Sequence, residues 1–476
     1  MKKPLKIALS AIVLVTSSQL YADNLLDVYR LAQDSDPNFL ASEAGTRATS
    51  ERVNQSMATL LPQLNAVAGY SVTSRESEST STGIITPVPS TAGDPRDFIR
   101  TSSSKSDTTV SDYSITLTQE IYNHTSWLNL RQSEKRALQS NVNHEGAKQD
   151  LIIRVAEAYF NVLAAKDSVE FSEAETDAVS KELAQTKQRF DVGLIAITDV
   201  HEAQSRYDRA IANQIIAKNA LDNTHELLRL ISGRYHYNLL QLKSEIPLRN
   251  PLPENIKQWV TQAEDNNINV KASKIGLDIA KQSISITQSG HYPTVALTAR
   301  YADDDSETET PTQPVYDNAN NLIGIATNNV TNGSSPVSSI SLDVKIPLYS
   351  GGRTSSQVSE AQSLYLQAAH NLESSRRLAV SNTRSSYLGV IANVGSVKAF
   401  KQAVISSEKS LEATQAGFEV GTRTIVDVLL QTQLLFDAKR QYSRARYDYV
   451  LNTLKLKQAT GLLTEDDLAQ VNKLLR

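Results

Sequence analysis

Four short segments of the chain alternate apolar and polar residues, so that every second position is apolar. They lie at about residues 62–73, 112–122, 293–302 and 339–349. Strict alternation over about ten residues predicts a β-strand with one apolar and one polar face. Such strands fit a barrel that spans a membrane with lipid outside and water inside, but they also fit an antiparallel sheet on a soluble core. The strand pattern alone leaves both architectures open.

Much longer segments carry an apolar residue at every seventh position. Residues 126–190 and 352–418 are each predicted to form one very long helix, followed by shorter helices at 198–231 and 426–458. The series in the first long segment is Val155, Val162, Val169, Thr176, Leu183 and Phe190. A heptad repeat of this length is typical of coiled coils. Because a helix of about sixty residues extends for roughly 90 Å, we expect an elongated helical body.

The second half of the chain repeats the first. RFDVGLIAITDV (189–200) matches GFEVGTRTIVDV (417–428) at an offset of 228 residues. LPQLNAVAGY (61–70) matches YPTVALTARY (292–301) at an offset of 231 residues. Because order and spacing are kept, we predict one duplicated unit made of a short helix, two strands, a very long helix and a long helix.

The repeats divide the chain into predicted regions. These are a first unit at 23–231, a linking segment at 232–266, a second unit at 267–460 and a C-terminal segment at 461–476. Within each unit the two strands are separated by a stretch rich in Ser, Thr and acidic residues, at 73–111 and 302–339. Such a composition does not bury a core, so we expect mobile surface loops in these two stretches.

The first 22 residues, MKKPLKIALSAIVLVTSSQLYA, place three lysines ahead of an apolar run. This pattern predicts a secretory signal peptide that is cleaved after Ala22. Its removal would take three of the 48 basic residues and none of the 52 acidic ones, leaving a net charge of −7. That acidic balance argues against a nucleic-acid-binding protein. No later segment has the eighteen consecutive apolar residues of a transmembrane helix, and the absence of cysteine excludes disulfides and thiolate metal sites.

One chain offers four strands of the barrel type, and four strands cannot close a barrel. An open edge cannot lie in lipid, because its backbone N–H and C=O groups would have no hydrogen-bond partners. Closed barrels need about eight strands or more, so two copies would supply enough strands and three copies would supply twelve. The strands therefore predict a homo-oligomer without choosing between a dimer and a trimer.

Residues suited to catalysis are sparse. The seven histidines, among them His124, His201 and His291, are scattered without metal-ligand spacing, and neither an HExxH motif nor a P-loop lysine is present. The GGR at 351–353 lies between a strand and a helix but lacks the GK[ST] ending of a phosphate loop. The residues therefore predict no enzyme activity, no catalytic group, no metal site and no cofactor.

Two motifs, QRFDVGLIAITDV and VGTRTIVDVL, together with the order of the elements, resemble the TolC family of trimeric outer-membrane efflux channels. The resemblance covers essentially the whole chain. It implies a mixed α/β membrane protein whose three copies form a twelve-stranded outer-membrane β-barrel, continued through the periplasm by a twelve-helix coiled-coil tunnel. Residues near 24–35, the segment 232–266 and the C-terminal segment would form an equatorial belt around the tunnel.

The two glycine-led turns are the candidate functional positions. Gly193 and Gly421 allow a sharp reversal between antiparallel helices. By the resemblance these turns are the periplasmic tips, and the tunnel closes when the second helical hairpin curls inward. Arg423 would then reach Thr198 and Asp199, which ties the two unlike hairpins together until the second hairpin is released.

Two departures from the family pattern bear on this gate. Family members that close in this way have a tyrosine where this chain has Phe418, and phenylalanine cannot donate a hydrogen bond to Asp199. We therefore expect closure to depend on Arg423 and on apolar packing of Phe418. Three copies of Asp427 would make an acidic ring that attracts cations and raises the pKa of nearby carboxyl groups. The second ring position of the family is Leu430 here, which predicts weaker cation selectivity and weaker block by multivalent cations.

The resemblance also implies a function and partners. Channels of this family dock onto a periplasmic adaptor protein and an inner-membrane pump of the RND, ABC or MFS type, and they export drugs, bile salts and sometimes proteins. We therefore expect an outer-membrane channel, embedded in lipid, that extends into the periplasm. Two alternatives stay open, a constitutively open passive porin of the same architecture and a soluble periplasmic coiled-coil scaffold. The adaptor would dock on the surface around both turns, at Gly193, Leu194, Gly421 and Thr422.

Overall fold

The structure is a computed structural model that describes residues 23–85, 96–311, 313–316, 322–326 and 328–476. The predicted signal peptide, residues 1–22, lies outside the described residues. The chain divides into two compact units, one helical and one built around a β-sheet. The helical unit comprises residues up to Ala48 together with Leu138–Leu277 and Gln367–Arg476, and the sheet unit comprises Thr49–Ala137 and Asp278–Leu366.

The sheet unit contains six strands among the described residues. They are β1 (Gln63–Ile85), β2 (Arg96–Tyr122), β3 (Thr294–Thr310), β4 (Gln313–Tyr316), β5 (Leu322–Ala326) and β6 (Asn329–Lys345). Four of them form an antiparallel sheet in the order β1-β2-β3-β6, while β4 and β5 pair only with each other. The edge strands β1 and β6 each have one side without a partner strand in the described part of the chain.

The strand register places the predicted apolar positions in rows across the sheet. Leu117 of β2 lies opposite both Leu64 of β1 and Ala299 of β3, and Ala299 lies opposite Ile340 of β6. Side chains in such a row share one face, because neighbouring strands keep the same pleat. The alternation read from the sequence therefore corresponds to one continuous apolar face.

The strands are much longer than the alternation indicated. We expected loops at 73–111 and 302–339, but the described residues of these stretches largely form the paired ends of the strands, for example Ser74 opposite Asp107. Residues 86–95, 312, 317–321 and 327 of these stretches lie outside the described residues. The apolar signal stops there, but the backbone hydrogen bonds of a ladder do not require apolar side chains. Ser-, Thr- and acid-rich composition thus marked the end of the apolar face and not the end of the strands.

Nine α-helices occur among the described residues. They are α1 (Leu25–Ser35), α2 (Pro37–Ala58), α3 (His124–Asp191), α4 (Ile197–Ser232), α5 (Ile256–Asn266), α6 (Ile268–Gln288), α7 (Arg353–Glu419), α8 (Ile425–Ala459) and α9 (Glu465–Asn472). Both ends of α5 follow those of α1 by 231 residues, and α3 and α7 have 68 and 67 residues. The predicted duplication is confirmed. In the described residues, no helix combines the length and apolar character needed to cross a membrane.

The main core of the helical unit lies where the middle of α3 packs against α1, α7 and α8. Heptad positions of both halves are buried here, including Val155, Val162, Val390 and Val397. The segment between α4 and α5 joins this core through two isolated bridges, Asp23 to Leu239 and Leu242 to Leu475. The residues expected to form a belt, from the first helix, the linking segment and the C-terminal segment, therefore meet within one chain.

Candidate functional site

Each of the two long helical hairpins ends in a turn with the same backbone pattern. We call residues 189–200, between α3 and α4, the first tip, and residues 417–428, between α7 and α8, the second tip. Gly193 and Gly421 have φ angles of 76° and 80°. In both turns the glycine N–H donates to the carbonyl three residues back, and the next N–H donates to the carbonyl five residues back. A left-handed residue ends a helix in this way, which is why both turns contain glycine.

The helix after the second tip starts with a capping box, whereas the helix after the first tip does not. The Asp427 N–H donates to Thr424 Oγ1 at 3.3 Å, and the Thr424 N–H donates to Asp427 Oδ2 at 3.0 Å. At the equivalent position before α4 stands Ala196, which makes no side-chain cap. The N–H of Asp199, the counterpart of Asp427, donates instead to the Ala196 carbonyl at 3.1 Å. Only the second tip gains the stabilisation of reciprocal capping.

The capping box also affects the pKa of Asp427. The backbone N–H and the hydroxyl of Thr424, together with the charge of Arg423, lower the pKa of the Asp427 carboxyl group. The local environment thus favours the carboxylate form. In an assembly of three copies, mutual repulsion between the three Asp427 carboxylates would raise this pKa instead.

The two hairpins pack together through a small apolar group, which we call the tip cluster. Its members are Val179, Leu183 and Ala203 from the first hairpin, and Phe418, Ile425, Val428 and Leu429 from the second. Equivalent residues of the two tips differ in exposure. Ile425 is 2% exposed and Ile197 46%, while Phe418 is 7% exposed and Phe190 37%. The second tip therefore lies on the first hairpin, whereas the apolar residues of the first tip face away from this contact.

Within one chain the predicted gating residues do not form a linked group. Arg423 and Thr198 are exposed and Asp199 is half-buried. Among the ion pairs of the described residues, none joins Arg423 to Asp199. Leu430, at the second ring position, is 43% exposed. A link from Arg423 to Thr198 and Asp199 stays a prediction.

The predicted docking positions lie on the surface of the two turns. Gly193, Gly421 and Thr422 are exposed, and Leu194 is 72% exposed. Over the described ranges, no group of three or more His, Asp or Glu side chains is arranged to hold a metal ion. The chemistry of the tips therefore rests on arginine, single carboxylates and apolar contact.

Arg189 is a contact residue that the sequence reasoning missed. Its guanidinium carbon lies 4.4 Å from the centre of the Phe418 ring, and its Nη1 donates to the Phe418 carbonyl at 3.3 Å. Aligning the repeats could have found it, because Arg189 aligns with Gly417 and Arg423 aligns with Ile195. Each tip thus has one arginine, at positions that are not equivalent.

Glu182 is a second residue that the sequence reasoning missed. It is 8% exposed, Thr432 Oγ1 donates to its Oε1 at 3.3 Å, and its Oε2 is buried without a hydrogen-bond partner in the described residues. Burial raises the pKa of the Glu182 carboxyl group, and nearby Gln415 and Thr432 offset only part of this rise. Glu175, one heptad closer to the N-terminus of α3, is also buried, but it forms an ion pair with Arg440 at 3.0 Å.

The sequence and the fold are similar to those of known outer membrane proteins. The family model described as outer membrane efflux protein matches residues 28–234 and 259–462. The outer membrane protein TolC of Vibrio cholerae is 38% identical over 477 residues, which cover 99% of this chain and 98% of the relative. Outer membrane protein TolC of Escherichia coli is 35% identical over 483 residues, covering 100% of this chain and 90% of the relative. The crystal structure of the Campylobacter jejuni CmeC outer membrane channel matches with a TM-score of 0.68 at 14% identity, covering 95% of this chain and 90% of that one.

Proposed function

We propose a gated export conduit for this chain, which belongs to the outer membrane efflux protein family. As an outer membrane efflux channel of this family it serves export and works with partner pumps. In our proposal, three copies form one conduit that a periplasmic adaptor and an RND, ABC or MFS pump recruit. Drugs, bile salts and in some cases proteins would pass through it across the periplasm and the outer membrane.

The unpaired edges of the sheet are the main observation that supports a trimer. β1 and β6 each leave a row of backbone N–H and C=O groups without a partner strand in the described part of the chain. In a bilayer these groups need partners, and pairing β6 of one copy with β1 of the next supplies them. Three copies would give twelve strands, enough for an aqueous channel, whereas eight strands are largely filled by their own side chains.

The contrast between the two tips supports a gate. Arg423 is exposed at the second tip without an ion pair to Asp199 in its own chain, although a charged guanidinium favours a carboxylate partner. We propose that closed copies bring Arg423 to Thr198 and Asp199, and that breaking these links releases the second hairpin. A partly exposed link of this kind contributes less than about 1 kcal/mol, but threefold symmetry repeats it.

The acidic ring is the second part of the proposal. Asp427, held by its capping box, would face the narrow end of the conduit in three copies and favour cations there. With Leu430 in place of a second acid, selectivity and block by multivalent cations depend on this single ring. Asp427→Ala is expected to reduce both. Unchanged selectivity and block in this variant would remove Asp427 from the pore.

The decisive test is single-channel conductance in planar bilayers, with the wild-type protein beside Arg423→Ser. We expect a small wild-type conductance that rises severalfold in the variant. A wild-type protein that is already wide open would favour the passive porin instead.

Adaptor docking is tested separately, by measuring binding of a purified adaptor to Leu194→Glu, which places a charge on the exposed surface of the first turn. Unchanged binding would argue against this docking surface.

A further inference from the structure

Arg189 joins the first tip to the second by a contact that involves no acidic residue. The guanidinium lies over the Phe418 ring, 4.4 Å from its centre, and Nη1 also donates to the Phe418 carbonyl at 3.3 Å. The ring is 7% exposed, so the contact is sheltered on the side of the tip cluster. An aromatic face attracts a cation more strongly where water is displaced.

The carbonyl that Arg189 contacts lies at the end of a helix. Phe418 is the second-last residue of α7, and its carbonyl also accepts the Gly421 N–H at 3.2 Å in the turn. Carbonyl groups at a helix C-terminus carry partial negative charge, which favours a nearby cation. One side chain of the first hairpin thus contacts both the ring and the backbone at the point where the second hairpin reverses.

The second repeat has no arginine at the position equivalent to Arg189, so this contact has no counterpart in the other tip. The residue equivalent to Arg189 in the second repeat is Gly417. A Cβ added there would lie 2.8 Å from Arg423 Cγ, so the space that a larger side chain would need holds the Arg423 stem. The two tips have therefore placed their arginines differently, Arg189 toward the other hairpin and Arg423 toward the surface.

We propose that Arg189 is a positioning residue that holds the second tip on the first hairpin of the same chain. This inference rests on the proposed gate, but it concerns a different link, because the partners are an uncharged ring and a carbonyl. Acid and salt weaken ion pairs between carboxylates and arginine, whereas the ring and the carbonyl of Phe418 are uncharged and have no proton to gain or lose. Part of the force that keeps the tip closed is therefore expected to persist at low pH and at high salt.

Single-channel conductance tests the link through Arg189→Gln, which keeps hydrogen-bond donors and removes the charge. A contact of this type shifts an equilibrium by about two- to fivefold at an exposed site and by more when sheltered. We expect a higher mean conductance in Arg189→Gln, also in 1 M salt, and partial restoration in Arg189→Lys. The matched control is Lys187→Gln, which removes a charge two residues away, where the Lys187 ammonium donates to Gln204 of its own hairpin at 3.3 Å.

A distance measurement keeps the inference testable even if the wild-type channel proves open. The chain has no cysteine, so spin labels can be attached at Val192→Cys and Val420→Cys, two exposed positions beside the turns. Labelled chains diluted with unlabelled ones report the separation of the tips within one chain. We expect a narrow distance distribution that broadens in Arg189→Gln and in Phe418→Leu. If neither variant changes the distances, Arg189 does not position the tip, whatever the conductance of the wild-type protein.

Discussion

The two tips of the chain arise from one repeated sequence, but they behave differently in the structure. The second tip is capped by Thr424 and Asp427 and buries Ile425 and Phe418 against the first hairpin. The first tip has no side-chain cap at Ala196 and leaves its equivalent apolar residues partly exposed. Duplication supplied two copies of the same turn, and substitutions such as Thr424 in place of Ala196 gave the copies different caps. The difference teaches that one repeated turn can gain a stable local structure and a buried contact in one copy while the other copy stays uncapped and exposed.

The largest expected effect comes from truncating the equivalent isoleucines. Ile425→Ala removes a buried side chain from the tip cluster and is expected to destabilise the helical unit by about 2–4 kcal/mol. Ile197→Ala truncates a side chain that is nearly half exposed and should cost well under half as much. Urea unfolding followed by circular dichroism measures both. Equal losses would mean that the two tips are equally packed.

The second-largest expected effect on stability comes from substituting the buried residue Glu182. Because its folded-state pKa is raised above the ordinary value of 4.5, Glu182 contributes stability that is fully present below that value and is lost as the pH rises through the folded pKa. Glu182→Gln removes the unpaired charge and is expected to stabilise the tip contact by about 1–2 kcal/mol at pH 7, with no gain at pH 4. Unfolding curves of both proteins at several pH values check this. A difference that does not vary with pH would contradict it.

The caps can be exchanged between the tips. Thr424→Ala should cost about 1 kcal/mol, while Ala196→Thr, whose backbone is already extended and which has Asp199 three residues on, should gain up to about that amount. Thermal unfolding measures the two changes.

Thr424→Ala should also raise the pKa of Asp427 toward its ordinary value. Since stability from a lowered pKa is lost as pH falls through the folded-state value, the wild-type advantage should shrink in acid. An advantage that persists in strong acid would contradict this.

The smallest stability effect is expected at Asp199. It lies in an uncapped first turn, so Asp199→Asn should change the unfolding free energy by less than about 0.5 kcal/mol. If Asp199 accepts Arg423 in the closed channel, the same variant should nevertheless raise single-channel conductance, and high salt should reproduce that rise in the wild-type protein. A variant that changes neither property would leave the asymmetry of the two arginines without a role in gating.

Several features could be predicted from the sequence because each is a local or periodic property. Period-two alternation predicted the apolar face that now runs from Leu64 through Leu117 and Ala299 to Ile340. Heptad spacing predicted the long helices. The repeated motif that starts with a glycine and ends with an aspartate six residues later predicted both turns. The matching motifs predicted the duplication and the family. The strand segments 74–85 and 96–111 were missed, since backbone pairing leaves no periodic apolar signal when both faces are polar.

Tertiary structure alone decided which of the two repeated tips is buried. Phe190 and Phe418 occupy equivalent positions in the sequence, yet only Phe418 enters the tip cluster. The contact between Arg189 and Phe418 joins residues 229 positions apart, and the burial of Glu182 depends on α8 lying against α3. Such contacts depend on which faces of distant helices meet, and periodicity within one helix cannot specify its neighbour. The sequence thus determined the two tips, and packing between the hairpins determined what each tip can do.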